Sequence, residues 1–291
     1  MTGTVFIQAN ARQMLGAKIS AYSYKRGSRS PDRFDVRIMD AGEFPQLMTR
    51  GQSILRGGHI REWDPDDLQS FSPLRFAPPT LAGFAGRALV TDPDCFAVGD
   101  VAELFERDMA GKAIMAVPRP GHNRQADYIA TSVMLLDCAK LRHWDFEPLL
   151  ERLFAKQFDY VPWMELKFED RATIGALEPQ WNSFDKLTPD TRILHTTKRR
   201  TQPWKTGLPV DYTLRESGPL DVLRRLGARR YARHPDRNQE AYVYSLLAEM
   251  LDQGIVTQDE LGAEMAADHI RHDSLELIER YRGWRLFEQA A

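Results

Sequence analysis

The chain has 291 residues, of which 43% are apolar and 10% aromatic, so it can form a full hydrophobic core and is not a disordered chain. Its formal net charge of −2 argues against non-specific nucleic-acid binding as its main function. The two cysteines, Cys95 and Cys138, provide neither a disulfide framework nor a zinc set, which favours a cytoplasmic location.

The first forty residues predict a β-α-β unit. Residues 4–7 form a short apolar run typical of a buried strand, and residues 12–26 have mostly helical spacing of apolar side chains. Phe34, Val36 and Ile38 alternate with polar residues, which indicates a second strand. This order predicts a parallel strand pair and a Rossmann-like start. No apolar leader follows Met1, and no apolar run approaches the ~20 residues of a membrane span, so we expect no transmembrane segment.

Residues 42–73 are polar and rich in glycine, and we predict surface loops with a short helix there. Arg75 follows in a proline-bearing segment. A lone arginine in such a place is more often a surface or capping residue. Its guanidinium could also bind a diphosphate through two parallel hydrogen bonds.

The central stretch of the chain is the run from 87 to 100. Ala88-Leu89-Val90 is typical of a buried central strand, and the strand is followed by Asp92 and Asp94 on either side of a proline. Open α/β sheets bind ligands at the carboxyl ends of their strands. Residues i and i+2 of an extended chain point the same way. Two converging carboxylates suit a hard divalent cation, although a solvated acidic turn is an equally simple interpretation.

The segment from 101 to 195 predicts further alternation of strands and helices. We expect a helix at 101–107, strands at 112–117 and within 128–137, a helix at 147–156, an irregular aromatic-rich segment at 158–182, and a strand at 192–195. The last strand ends in His195. A histidine after a strand is more often a core residue than a ligand.

The C-terminal part predicts helices throughout, and we place a domain boundary between 1–217 and 218–291. Leucines 220, 223 and 226 indicate a helix rich in arginine, a stronger amphipathic helix ends at Gly254, and Thr257 with Glu260 forms a capping box. The basic helix at 223–233 could bind an anionic glycan, a lipid headgroup or RNA, but a solvated helix face is the more frequent explanation. The tail could cover an acceptor site or form a homodimer.

Several short motifs occur in an order that resembles one enzyme family. They are Leu74-Arg75-Phe76, Leu89-Val90-Thr91-Asp92-Pro93-Asp94, Gly99-Asp100-Val101, Thr131-Ser132-Val133-Met134-Leu135-Leu136-Asp137, Leu177-Glu178-Pro179-Gln180-Trp181-Asn182, Ile193-Leu194-His195 and Gln202-Pro203-Trp204. Together, over residues 4–205, they resemble the glycogenin and lipopolysaccharide galactosyltransferase group, the retaining GT-A glycosyltransferases of family eight. The match depends on the order and spacing of the pieces rather than on any one of them.

The resemblance implies an α/β fold, a GT-A Rossmann-like mixed sheet flanked by helices, followed here by a helical C-terminal appendage. It implies a retaining hexosyltransferase with a DXD motif and a Mn²⁺ or Mg²⁺ ion. The partners would be a nucleotide-sugar donor, usually a UDP-sugar, and a glycan, lipid or protein acceptor, with no nucleic acid.

Carried over by motif, the resemblance also implies roles for individual residues. The metal ligands would be Asp92, Asp94 and His195. The nucleotide sugar would be bound by Gln8, Asn10, Arg75, Asp92, Lys198 and Gln202. The catalytic residues would be Arg75 and Asp127, which would contact the donor. Lys198, Arg199 or Lys205 could replace the family's phosphate-binding lysine, which is Gln202 here. Lys198-Arg199-Arg200 is equally well explained as a solvated basic turn.

Three departures from the family pattern leave other functions open. The family's Asn-Ala is Ala130-Thr131 here, its lysine is Gln202, and its Asp-Gln pair is missing near Pro162-Trp163-Met164. A catalytically weak or inactive relative that binds nucleotide sugars or glycans is therefore the main alternative. A phosphatase of the haloacid-dehalogenase type ranks below both, because a β-α-β unit precedes the acids and Cys95-Phe96 follows them.

Overall fold

The structure is a computed structural model that describes residues 3–67, 69–121, 127–211 and 230–287. The chain divides into two compact units. The first comprises Met1–Ser183 and Asp190–His195, and the second Phe184–Pro189 and Thr196–Ala291. The predicted boundary near Gly218, and the predicted basic helix as far as residue 229, lie outside the described residues. Arg230, at which the described chain resumes, forms a bridge pairing with Pro209 and is not helical.

The strands and helices of the described residues follow in chain order. The strands are β1 (Gly3–Ala9), β2 (Phe34–Asp40), β3 (Ser53–Arg56), β4 (His59–Glu62), β5 (Arg87–Thr91), β6 (Cys95–Ala97), β7 (Ile114–Arg119), β8 (Tyr128–Asp137), β9 (Ile174–Ala176), β10 (Ser183–Phe184) and β11 (Ile193–His195). The helices are α1 (Met14–Arg26), α2 (Pro45–Met48), α3 (Pro78–Leu81), α4 (Ala102–Glu106), α5 (Phe146–Phe154), α6 (Tyr160–Met164), α7 (Arg237–Asp252), α8 (Gln258–Ala266) and α9 (Ser274–Tyr281).

The main sheet of the first unit is mixed, with the strand order β2-β1-β5-β8-β7-β9. Strand β1 lies parallel to both β2 and β5, whereas β8 runs antiparallel to β5 and β7. Helix α1 connects β1 to the parallel β2, so the predicted β-α-β start is confirmed. The predicted α/β fold with a mixed sheet and flanking helices is also confirmed.

The two faces of this sheet belong to two separate apolar clusters. In β5, Ala88 and Val90 lie in one cluster and Leu89 lies in the other. In β1, Phe6 lies in the same cluster as Ala88 and Val90, and Val5 lies in the same cluster as Leu89. Successive side chains of a strand point to opposite faces. Strands covered on both faces therefore need continuous apolar runs, which is the pattern that the sequence shows.

The segment from 42 to 73 differs from the prediction of surface loops. It contains the β3–β4 hairpin, and Leu47, Ile54, Trp63 and Phe71 are buried in one of the sheet's apolar clusters. The Trp63 indole N–H donates to the Leu47 carbonyl over 2.7 Å. Isolated apolar residues in a polar segment have no clear period, so their burial could not be predicted from local pattern.

The described helices of the second unit lie close to the predicted positions. Thr257 caps α8 by accepting a hydrogen bond from the Glu260 amide at 3.1 Å, as its capping-box motif predicts. The buried Glu240 of α7 accepts hydrogen bonds from Arg271 at 2.8 Å and from the Tyr281 hydroxyl at 3.0 Å. Among the described residues, no helix combines the length and the apolar character needed to cross a membrane.

Candidate functional site

The candidate site lies where the central strand β5 ends. The chain turns directly after Thr91, and this turn is held by two backbone hydrogen bonds, from Asp92 to Ser132 at 3.0 Å and from Cys95 to Asp92 at 3.2 Å. The turn leads into β6, which pairs antiparallel with β11 and places Cys95 opposite His195. The register of this pair therefore brings a histidine from a late strand to the acidic turn.

Asp94, Cys95 and His195 form a compact cluster. The Nε2 atom of His195 lies 3.3 Å from a carboxylate oxygen of Asp94. One potential ligand atom from each of the three residues lies within 4.8 Å of the others. A carboxylate, a thiol and an imidazole that converge in this way are a donor set for a divalent metal.

The cluster favours the charged form of the histidine. Burial lowers the pKa of His195, but its neighbours Cys95 and Asp94 outweigh this effect and hold the pKa well above its ordinary value. Burial raises the pKa of the Cys95 thiol to about 11, so that group is neutral at pH 7. The Asp94 carboxylate is therefore the charge that stabilises the imidazolium.

Asn182 and Ser132 fix the orientation of the imidazole. The Asn182 side-chain oxygen lies 2.9 Å from Nδ1 of His195, and its amide nitrogen donates to the Ser132 hydroxyl at 2.9 Å. Because the Asn182 oxygen is an acceptor, Nδ1 carries the hydrogen and Nε2 faces Asp94. A fixed ring of this kind is the usual support for a metal-binding histidine.

The second acid, Asp92, has a different partner. Arg75 donates to its two carboxylate oxygens over 2.8 and 2.6 Å, and the Gln8 side chain donates to the same carboxylate. Burial lowers the pKa of Arg75, but Asp92 outweighs this effect and raises it. Arg75 is thus an inward-facing partner of the DXD motif and not a surface residue. The structure pairs Asp94 with His195, and Asp92 with Arg75.

The end of β1 contributes two buried polar side chains at the same edge of the sheet. Gln8 is fully buried and Asn10 nearly so, yet the side-chain oxygens of both have no hydrogen-bond partner among the described residues. The amide nitrogen of Asn10 donates to the Asp67 carbonyl and to the Ser70 hydroxyl, each at 3.0 Å. A buried acceptor without a donor is costly, so both oxygens are suited to accept hydrogen bonds from a ligand.

The remaining predicted site residues are Asp127, Lys198 and Gln202. Asp127 is exposed just before β8 and accepts a hydrogen bond from the Gly121 amide at 2.8 Å. Lys198 and Gln202 belong to the second unit, where Lys198 is exposed and Gln202 is buried. Lys205 is buried there in an ion pair with Asp211 at 2.7 Å. The functional roles of Asp127, Lys198 and Gln202 stay predictions.

Sequence reasoning missed three residues of the site: Cys95, Ser132 and Asn182. Cys95 directly follows the DXD motif, and this adjacency is the sequence feature that could have indicated its place in the site. Asn182 and Ser132 lie in motifs that carry the resemblance, but the hydrogen bonds of Asn182 with His195 and with Ser132 depend on tertiary structure.

The raised pKa of His195 predicts a pH dependence of stability in the metal-free protein. The folded-state pKa lies above the unfolded value of about 6.5. The stabilisation is therefore fully present below that pH and is lost as the pH rises through the folded-state pKa. We expect the free energy of unfolding of the wild type to fall relative to that of His195→Gln above about pH 6.5. Urea unfolding in the presence of EDTA, at pH values below and above 6.5, measures this difference in the free energy of unfolding. A difference that does not change with pH would contradict a raised pKa of His195 in the folded protein.

Comparisons with known proteins give similarities in fold but not in sequence. No family model matches the chain, and no curated protein matches its sequence. The solved structures that are similar to it include several glycosyltransferases, which is the class that the motifs resemble.

Three of these structures show the extent of the similarity. The galactosyltransferase LgtC, solved with donor and acceptor sugar analogs, is 13% identical with a TM-score of 0.47, over 69% of this chain and 89% of its own. The glycosyltransferase GlyE of Streptococcus pneumoniae TIGR4 is 16% identical with a TM-score of 0.48, over 88% of this chain and 66% of its own. Mouse xyloside xylosyltransferase 1 is 12% identical with a TM-score of 0.43, over 68% of this chain and 98% of its own. All three TM-scores are below 0.5, and the function of this chain is therefore inferred from the residues of its own site.

Proposed function

We propose that this protein is a metal-dependent retaining glycosyltransferase that moves a sugar from a nucleoside-diphosphate donor, a UDP-sugar, to an acceptor hydroxyl. The observation that carries the proposal is the 3.3 Å approach of His195 Nε2 to Asp94 at the carboxyl end of β5. An acid and an oriented imidazole meet there, beside a second acid and a buried arginine.

The residues at this edge fit a divalent cation. Asp94 and His195 would hold it, and Asp92 is the candidate for a further ligand. An imidazole ligand suits Mn²⁺ better than Mg²⁺. A bound cation would neutralise the charge that develops on the diphosphate leaving group as the glycosidic bond breaks. Protonation of Nε2 competes with cation binding, because both use the same lone pair.

Arg75 is the residue that we propose to bind the diphosphate. Its guanidinium is a fixed fork that matches phosphate oxygens, and Asp92 occupies that fork in this structure. The hydrogen bond of 3.1 Å from Arg75 to the Thr131 hydroxyl holds the side chain in place. The free acceptors of Gln8 and Asn10 suit the N–H of a base or the hydroxyls of a ribose.

Retention at the anomeric carbon requires the acceptor hydroxyl to approach the face from which the diphosphate leaves. We assign no nucleophile, and we propose that the chain stabilises the departing diphosphate and positions the acceptor. Asp127, Lys198 and Gln202 are proposed to contact the donor on the basis of the motif resemblance alone.

Nucleotide binding is the first test of this proposal. UDP with Mn²⁺ should raise the melting temperature by roughly 5–10 °C at a hundred times the dissociation constant, since such binding adds about 2.7 kcal/mol. Asp94→Asn should lose the Mn²⁺-dependent part of the shift. Asp137→Asn is the matched control, because Asp137 pairs with Arg87 at the opposite end of β5 from the acidic turn. An equal shift in wild type and Asp94→Asn would overturn the cation assignment.

One observation favours the alternative of a nucleotide-sugar-binding relative without transfer activity. Residues 162–164, where the family has its Asp-Gln pair, lie in α6. Trp163 stacks on Phe76 with ring centroids 4.2 Å apart, and Met164 contributes a backbone carbonyl that accepts from Thr131 at 3.0 Å. Nucleotide binding without transfer or donor hydrolysis, across a panel of nucleotide sugars, would support this alternative.

A further inference from the structure

We propose that the cation site of this protein binds a thiophilic divalent metal, Zn²⁺ or Co²⁺, more tightly than Mn²⁺, with the Cys95 thiolate as a third ligand beside Asp94 and His195. This inference rests on the proposed function in placing the cation at the same site. The inference goes beyond the proposed function because it identifies Cys95 as a ligand and predicts which metals the site prefers.

The geometry of the turn makes a joint role of Asp94 and Cys95 feasible. Consecutive residues of a regular strand point to opposite faces, but these two are the last two residues of a turn that is closed by the hydrogen bond from the Cys95 amide to the Asp92 carbonyl. Potential ligand atoms of Asp94, Cys95 and His195 therefore all lie within 4.8 Å of one another. The cross-strand pairing of Cys95 with His195 brings the imidazole into the same cluster.

The chemistry of this set differs from that of an oxygen-rich cation site. Mg²⁺ takes oxygen ligands, whereas thiolate and imidazole select zinc-like ions. Three protein ligands leave the fourth position of a tetrahedral zinc site open, and a diphosphate oxygen or a water can take it. The thiol proton passes to solvent when the metal–sulfur bond forms. Asn182 supports the site from behind the imidazole, as outer-shell residues of zinc sites do.

A simpler role for a buried cysteine is that of a small apolar side chain. Cys138 fits that description, because it lies in the apolar cluster on one face of the sheet. Cys95 also packs in an apolar cluster, but it lies beside the carboxylate of Asp94 and the imidazole of His195. The two cysteines are equally buried, which makes Cys138 the matched control.

Titration of the full-length protein with Co²⁺ tests the proposal without an activity assay. Thiolate bound to Co²⁺ gives a charge-transfer absorption in the near ultraviolet, and tetrahedral Co²⁺ gives intense visible bands. We expect both in the wild type and in Cys138→Ala, with the thiolate band absent from Cys95→Ala and with Zn²⁺ displacing Co²⁺. Removal of the thiolate should weaken Zn²⁺ binding by about 10²-fold or more.

The absence of a thiolate band from the wild type would overturn the proposal, and this result does not depend on whether the variants fold. A band of equal intensity in Cys95→Ala would also overturn it. Nucleotide binding separates this inference from the proposed function. A UDP–Mn²⁺ shift without a thiolate band refutes the cysteine ligand alone, whereas a thiolate band without any nucleotide shift supports the ligand and counts against glycosyl transfer.

Discussion

Replacement of Arg75 with methionine is expected to lower the free energy of unfolding by about 3–5 kcal/mol. The Arg75 and Asp92 side chains are only 14% and 13% exposed, and the substitution would leave a largely buried carboxylate without its cation. Removal of one partner from such a pair is strongly destabilising because of the uncompensated charge. Urea unfolding at pH 7 measures the loss, and methionine preserves most of the side-chain volume.

Two further variants show whether this loss belongs to the buried pair. The double variant Arg75→Met with Asp92→Asn should recover part of the stability, because it removes the isolated charge. Arg50→Met is the surface control: Arg50 pairs with Asp66 at 2.5 Å, but the two side chains are 70% and 51% exposed, and its loss should be below about 1 kcal/mol. Equal losses in Arg75→Met and Arg50→Met would show that the pair with Asp92 is not buried as described.

His195→Ala is expected to reduce kcat/KM for transfer or hydrolysis of a UDP-sugar by about 10²-fold or more. Loss of an outer-shell partner of a metal site already costs about 10- to 100-fold, and His195 is proposed as a direct ligand. The defect should lessen as the Mn²⁺ concentration rises, which a purely structural defect would not do. The donor for this assay is the UDP-sugar that raises the melting temperature of the wild type most.

His143→Ala is the control for His195→Ala. His143 is 57% exposed, although its partner Glu169, at 2.8 Å, is largely buried, and its replacement should leave kcat/KM within about twofold, as expected for the replacement of an exposed side chain. If both variants lost activity equally, or if neither lost it, His195 would not be a functional ligand.

The sequence was sufficient to predict much of the fold because its central strands carry a strong local signal. The apolar runs of β1 and β5 and the alternation in β2 predict a parallel start and a buried central strand, and the sheet confirms both. The approach of His195 to the acidic turn could be predicted only from the order of motifs, because it depends on the pairing of β11 with β6, which are about a hundred residues apart in the chain.

The features that sequence reasoning missed are all set by tertiary contacts. Trp63 and Phe71 enter the core from a polar segment with no period. Cys95 joins His195 because of one strand register, and Asn182 orients the imidazole through a side-chain hydrogen bond. The pairing of Asp92 with Arg75 likewise joins residues that local pattern treats separately.

Crystals grown with UDP and Mn²⁺, measured at the manganese absorption edge, give the most direct test of the cation site. We predict an anomalous peak about 2.0–2.3 Å from an Asp94 carboxylate oxygen and from Nε2 of His195, with the UDP diphosphate on its open side. A nucleotide bound elsewhere, or a bound UDP with no anomalous peak between Asp94 and His195, would contradict the account.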